Sequence, residues 1–151
     1  HRHALNDALV AEIVENEVLG TAIVPHGNRP FAPAVLAEAS QQYFDIPHVD
    51  RHMPARFMLL VVPVLDQKKD DIPAVSHLGT SRIQAVYQDV SPKYYQLIRK
   101  FGEGSGIPIL LNTSFNVRGE PIVNSPQDSL NTFMNSGIDS LVMGNFMLDK
   151  E

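Results

Sequence analysis

Leu5, Leu9, Val10, Ile13, Val14 and Val18 recur at three- and four-residue intervals. That spacing is the stripe of an amphipathic helix and predicts one over Ala4–Leu19, with Gly20 placed to end it. Phe31 to Leu36 reads as a strand, which Pro30 and Pro33 confine to a sheet edge or an irregular start, because proline donates no ladder hydrogen bond. Phe57 to Leu65 is apolar apart from Pro63 and predicts a buried strand. Between them, Gln41 to Ala55 mixes prolines, charges and His48 and His52 without periodicity, as a long surface loop does. Lys68-Lys69-Asp70-Asp71 reads as a solvated turn.

In the second half, Ser91-Pro92 supplies an N-cap followed by proline at the first helical position. Tyr95, Leu97, Ile98 and Phe101 continue that helix, and Gly102, Gly104 and Gly106 end it. Ile107 to Leu111 is short, apolar and branched, as a central strand is. Ser125-Pro126 repeats the start signal, with Asp128 favouring the helix N-terminus, Leu130, Phe133 and Met134 facing inward and Gly137 as the stop. Ser140 to Leu148 reads as a last strand pair turning at Gly144-Asn145. Interleaved strands and helices without an internal repeat predict an α/β or α+β fold with a twisted mixed sheet and flanking helices. The 151 residues, 44% hydrophobic and 19% charged, suffice for one compact domain over 1–151.

The net charge of -5 argues against a general nucleic-acid binder, which needs a clustered basic surface, so any anion site must be local. No run approaches the ~18–20 apolar residues of a membrane span, and no signal segment is recognisable. With no cysteine, disulfides, thiolate metal sites and cysteine nucleophiles are excluded, in keeping with a cytoplasmic enzyme. The start at His1-Arg2-His3, without an initiator Met, suggests a piece of a longer protein.

Candidate chemistry concentrates in three segments. From Leu110 to Pro121 an apolar strand breaks into Asn112, Thr113, Ser114 and Asn116, with hydroxyl and amide groups. Arg118 follows, a planar fork suited to phosphate or carboxylate, and then Gly119, which permits close backbone approach. A turn whose Ser and Asn satisfy their own backbone accounts for the same residues equally well. His77-Leu78-Gly79-Thr80-Ser81-Arg82 repeats the combination of glycine, hydroxyls and arginine, where a nest of N–H groups and one cation can hold a phosphate. The competing reading is a surface loop with Arg82 in an ion pair. Asn28-Arg29-Pro30-Phe31-Ala32-Pro33 fixes Arg29 at a strand entrance. His48 and His52 have i, i+4 spacing, but Pro47 and Pro54 disfavour a helix and no third ligand is evident, so no metal is assigned. The methionines at 53, 58, 134, 143 and 147 are read as core or interface fillers.

Arg29-Pro30-Phe31-Ala32-Pro33, the apolar stretch 57–64, the loop ending in Arg82, and Leu111-Asn112-Thr113-Ser114-Phe115-Asn116-Val117-Arg118-Gly119-Glu120-Pro121-Ile122 closely resemble the C-terminal domain of nodulation-type and antibiotic-biosynthetic O-carbamoyltransferases. Ser114-Phe115-Asn116 also resembles the Ser-x-Asn signature of the wider YrdC-like superfamily. The resemblance implies a YrdC-like fold and a chain that forms carbamoyl adenylate from carbamoyl phosphate and ATP, with magnesium accompanying the nucleotide. It also implies an N-terminal ASKHA-type domain that transfers the carbamoyl group to an acceptor hydroxyl. On this reading Arg29, Arg82 and Arg118 neutralise phosphate or carbamate charge and Ser114 and Asn116 position the ligand. Asn112, His77 and Thr80 are further binding candidates, and no side chain is assigned as a nucleophile. The chain departs from the family in having no lysine in Ile23-Val24-Pro25-His26-Gly27-Asn28 and in lacking an acidic residue before Gly79. Two other readings remain: a YrdC-like adenylate synthase for tRNA modification, and a non-catalytic nucleotide-binding or interdomain module.

Overall fold

The computed structural model describes residues 10–14, 17–21 and 31–150. In chain order the strands are β1 (Val10–Val14), β2 (Glu17–Thr21), β3 (Ala32–Leu36), β4 (Leu60–Pro63), β5 (Thr80–Val86), β6 (Ile109–Asn112), β7 (Ser140–Met143) and β8 (Phe146–Asp149). The α-helices are α1 (Pro92–Ser105) and α2 (Pro126–Met134), and parallel and antiparallel pairings mix, so the fold is α+β. The chain divides into two compact units, Gly27–Leu111, and His1–His26 with Asn112–Glu151.

In the Gly27–Leu111 unit the strand order is β4-β5-β3-β6. β3 is buried along its whole length and lies between β5 and β6 rather than at the edge expected from its prolines. Its parallel ladder to β5 begins at Ala34↔Gln84, one residue past Pro33, so the missing N–H interrupts no bond in that ladder. β4 begins the described order and pairs antiparallel with β5 from Leu60↔Ile83 to Pro63↔Thr80. The buried strand expected over 57–65 is therefore shorter and only half covered: Val62 is 5% exposed and Val61 61%. Alternation of faces on an edge strand explains this, and an edge also tolerates Pro63.

The long surface loop expected over 41–55 is instead packed. Short 3-10 turns at Ala37–Gln42, Val49–Arg51 and Met53–Phe57 carry Tyr43, Phe44, Ile46, Val49 and Ala55 into the interior, and Phe44 bridges to Val64. Short 3-10 segments, with about 3 residues per turn, have no 3.6-residue stripe, which hides them from a periodicity search. Helix α1 buries Tyr94 and Ile98 and runs through Gly102 and Gly104 to end at Gly106, whose φ of 81° suits a left-handed cap. Gly102 serves packing rather than termination: a Cβ there would lie 2.8 Å from Pro108 Cβ and 2.9 Å from Pro108 Cα.

In the other unit the order is β2-β1-β7-β8, with β1 antiparallel to β2 and parallel to β7. The helix expected over Ala4–Leu19 is thus corrected to paired strands from Val10 onward; residues 4–9 lie outside the described residues. Gly20, expected as a helix stop, sits inside β2 opposite Ala11. Val10, Ile13, Val14 and Val18 are β-branched and favour strands, a preference that the helix-like spacing masked.

Phe115, Val123, Phe133, Ile138 and Leu141 form the core of this unit, with Leu130, Met143 and Leu148 against it. At the start of α2, Ser125 Oγ accepts from Asp128 N–H at 3.1 Å, and the Asp128 carboxylate accepts from Ser125 Oγ at 2.7 Å and from Asn124 N–H at 3.4 Å, a reciprocal cap. Helix α2 ends at Met134, before Gly137, and Met134 is exposed rather than inward-facing. The β7–β8 hairpin turns at Gly144-Asn145 with Gly144 at φ 61°, a positive value that glycine adopts freely.

Candidate functional site

The segment following β6 folds around one asparagine. Asn112 is buried as the last residue of β6, and Phe115 plugs the core and accepts a hydrogen bond from Val123 N–H at 3.1 Å. Between these anchors Ser114 is exposed and donates to Asn116 Oδ1 at 2.6 Å. Asn116 Nδ2 donates to Glu120 O at 3.0 Å and to Val117 O at 3.3 Å. Glu120 N–H donates to Val117 O at 3.1 Å, and Gly119 has φ 93°, the value a type II turn needs at its third position. Asn116 therefore builds the turn, with its amide hydrogens already engaged. Arg118 stands exposed at the second position of that turn with no ion pair among the described residues.

The 77–82 segment is a second tight turn. His77 N–H donates to Thr80 O at 2.8 Å and Thr80 N–H to His77 O at 2.9 Å, and both central residues have positive φ, Leu78 at 49° and Gly79 at 77°. Thr80 Oγ1 donates to His77 O at 2.9 Å, and buried Ser81 donates to Val75 O at 2.7 Å. The Lys69 ammonium lies against the turn, 3.1 Å from where a Gly79 Cβ would stand. His77 and Thr80 thus shape the loop, while Arg82, opposite Val61 in the β4–β5 ladder, is exposed and has no ion pair among the described residues. Arg82 and Arg118 belong to different units, and Arg29 lies outside the described residues.

Four other surface cations find carboxylates, whereas Arg51 and Lys93, like Arg82 and Arg118, have no ion pair among the described residues. Lys68 pairs with Asp71 at 2.8 Å and Lys69 with Asp66 at 2.6 Å, while Arg99 and Lys100 each lie 3.7 Å from Glu103. The Asp71 hydrogen bond holds the Lys68 pKa above its usual value, and the Lys69 hydrogen bond lowers that of Asp66. Among the described residues nothing draws on the donors of Arg82 and Arg118, which suit a phosphate or carboxylate. His48 and His52 flank a short 3-10 turn, and no group of three or more His, Cys, Asp or Glu among the described residues is placed to hold a metal.

Sequence reasoning passed over Arg56. It lies in the 3-10 turn Met53–Phe57 with its guanidinium stacked 4.3 Å from the centre of the Tyr87 ring. Arg56 Nε and the Tyr87 hydroxyl are both buried without a hydrogen-bond partner among the described residues. A buried donor left unpaired costs about 1–3 kcal/mol. The available signal was a cation between Ala55 and Phe57 at the head of an apolar run.

The profile of the family described as "Carbamoyltransferase C-terminus" matches residues 16–150, and the chain belongs to that family. It is 42% identical over 125 residues to "Nodulation protein NolNO" of Sinorhizobium fredii, covering 82% of this chain and 18% of that protein. It is 42% identical over 123 residues to "Nodulation protein NolO" of Bradyrhizobium diazoefficiens, covering 81% and 22%. With "3'-hydroxymethylcephem-O-carbamoyltransferase" of Amycolatopsis lactamdurans the identity is 31% over 117 residues, covering 77% and 21%. The chain thus spans about a fifth of the length of these curated relatives.

Proposed function

We propose that this chain is the nucleotide-handling part of an ATP-dependent O-carbamoyltransferase, forming carbamoyl adenylate from carbamoyl phosphate, water and ATP, with release of phosphate and pyrophosphate, for transfer to an acceptor hydroxyl by an N-terminal domain. The observation that carries this reading is that Arg82 and Arg118 each adjoin a tight turn and are exposed with no ion pair among the described residues, in a chain of net charge -5 whose lysines at 68 and 69 are paired. Phosphoryl chemistry asks for cations and donors more than for a nucleophile, since positioning and charge stabilisation dominate it. Arg82, Arg118 and Arg29 are each assigned to phosphoryl or carbamate oxygens, and Ser114, whose proton goes to Asn116, offers its lone pairs to the carbamoyl amide. Asn116, Thr80 and His77 set the loops, and magnesium would accompany ATP. The setting is cytoplasmic, and no described helix is long and apolar enough to cross a membrane. Exposed Phe57, Leu59 and Val61 suit contact with the N-terminal domain.

A second reading, a non-catalytic nucleotide-binding or interdomain module, is favoured by the Ser114–Asn116 bond, which spends polar groups inside the turn. Carbamoyl phosphate-dependent exchange of labelled pyrophosphate into ATP separates the two. Exchange that requires both ligands supports adenylate formation; ATP binding without exchange leaves the module.

A further inference from the structure

The outer face of the β4–β5 pair sets an apolar strip beside a cation. Side chains alternate along both strands: Val62, Ser81 and Ile83 are buried, while Val61, Pro63 and Arg82 are exposed on the opposite side. The register puts Val61 directly across from Arg82 and Pro63 across from Thr80. Residues facing one another in an antiparallel ladder have Cβ atoms about 4.5–5.5 Å apart, so the Val61 and Arg82 side chains are immediate neighbours. Leu59, two residues before Val61, is 74% exposed and continues the strip.

Such a face is unusual for a strand at the end of the described order. Edge strands are ordinarily kept short, bulged or charged, because an exposed apolar edge invites association. Here the apolar row is open to solvent, and Arg82 beside it has no ion pair among the described residues. An occupant that matches both properties carries an anion attached to an apolar body. A protein surface would have to bring a carboxylate opposite Arg82, since burying an unpaired guanidinium is costly. A nucleotide brings both in one molecule: phosphoryl oxygens for the guanidinium and a flat base for the aliphatic side chains.

We propose that Leu59 and Val61 form the platform for the nucleotide's base while Arg82 holds its phosphoryl oxygens. The inference rests on the assignment of Arg82 to a phosphoryl group and deepens it, because a ligand anchored on Arg82 has the apolar strip within reach across the ladder. Leu59 and Val61 are then specificity-determining residues that select a nucleotide over a bare polyphosphate.

The test compares ATP with inorganic tripolyphosphate, which has the phosphoryl chain and no base, by titration calorimetry with magnesium present throughout. The parent protein should bind ATP the more tightly. Leu59→Gln/Val61→Thr nearly keeps side-chain size at exposed positions, where substitutions leave the fold intact. It should weaken ATP about tenfold, the scale of losing a modest apolar contact, with tripolyphosphate affinity kept to within about twofold. Arg82→Ala should weaken both ligands. The inference is overturned, with the Arg82 assignment left standing, if the parent binds the two ligands equally, if the double variant binds ATP as the parent does, or if it loses both ligands alike. A strip that serves only contact with another domain gives the second of these results. Failure of both ligands to bind the parent sinks the nucleotide reading itself, and this inference with it.

Discussion

Replacing Asn116 by aspartate separates turn-building from ligand contact. The two side chains are nearly isosteric, so the acceptor for Ser114 is kept and both amide donors are lost. The bonds to Glu120 O and Val117 O, at 3.0 and 3.3 Å, disappear, and a carboxylate oxygen is set against two carbonyl oxygens. At about 0.5–1.5 kcal/mol for each net hydrogen bond, the loss is about 1–3 kcal/mol, toward the upper end if the new repulsion is not relieved. A stronger Ser114 bond to a charged acceptor offsets part of it. Urea unfolding should show a lower midpoint with an unchanged slope, the signature of a stability change. Binding of ATP should weaken as well, because Arg118 loses its turn. A midpoint shift worth less than about 0.5 kcal/mol, within the range of an ordinary surface substitution, would refute the assignment of Asn116 as the residue that builds the turn.

Gly102→Ala should destabilise the protein despite alanine's helix advantage of about 1 kcal/mol, because the new Cβ meets Pro108 at 2.8 Å; thermal or urea unfolding reads the sign. Leu141→Ala, at a fully buried core position, should cost about 2–5 kcal/mol in the same measurement. The Tyr95 hydroxyl donates to the Glu38 carboxylate, which holds the phenol above its ordinary 10.0. Its contribution is therefore complete below pH 10.0 and lost as pH rises through the raised value, and Tyr95→Phe should flatten that alkaline decline.

Local punctuation was the most legible layer of the sequence. Ser125-Pro126 with Asp128, Ser91-Pro92, and Gly144-Asn145 sit where helices and a hairpin begin or turn, because caps and turns depend on residues a few positions apart. Periodicity misled where local spacing and tertiary pairing disagreed. Val10, Ile13 and Val14 are spaced like a helix but pair with β2 and β7, and no window of local sequence contains the Ser140–Met143 partner. Similarly, β3 lies inside its sheet despite Pro33, because the ladder to β5 starts one residue later.

At the candidate site, the Arg118 and Arg82 segments were visible from composition, whereas the inward use of Asn116 and Thr80 was not: both competing readings of Leu110–Pro121 employ the same side chains, and only hydrogen-bond partners separate them. Arg56 escaped notice because its stacking partner is Tyr87, distant in sequence.

The central claim, that exposed arginines in this carbamoyltransferase-family chain receive phosphoryl ligands, is tested most directly by titration calorimetry with ATP, carbamoyl phosphate and both together, on the parent protein and on Arg118→Ala. The account predicts binding of both ligands and a loss of about 1–3 kcal/mol in the variant, roughly 5- to 150-fold in affinity, with unfolding stability almost unchanged because Arg118 is exposed and has no ion pair among the described residues. Absence of binding by either ligand, or an Arg118→Ala titration indistinguishable from the parent's, would contradict it.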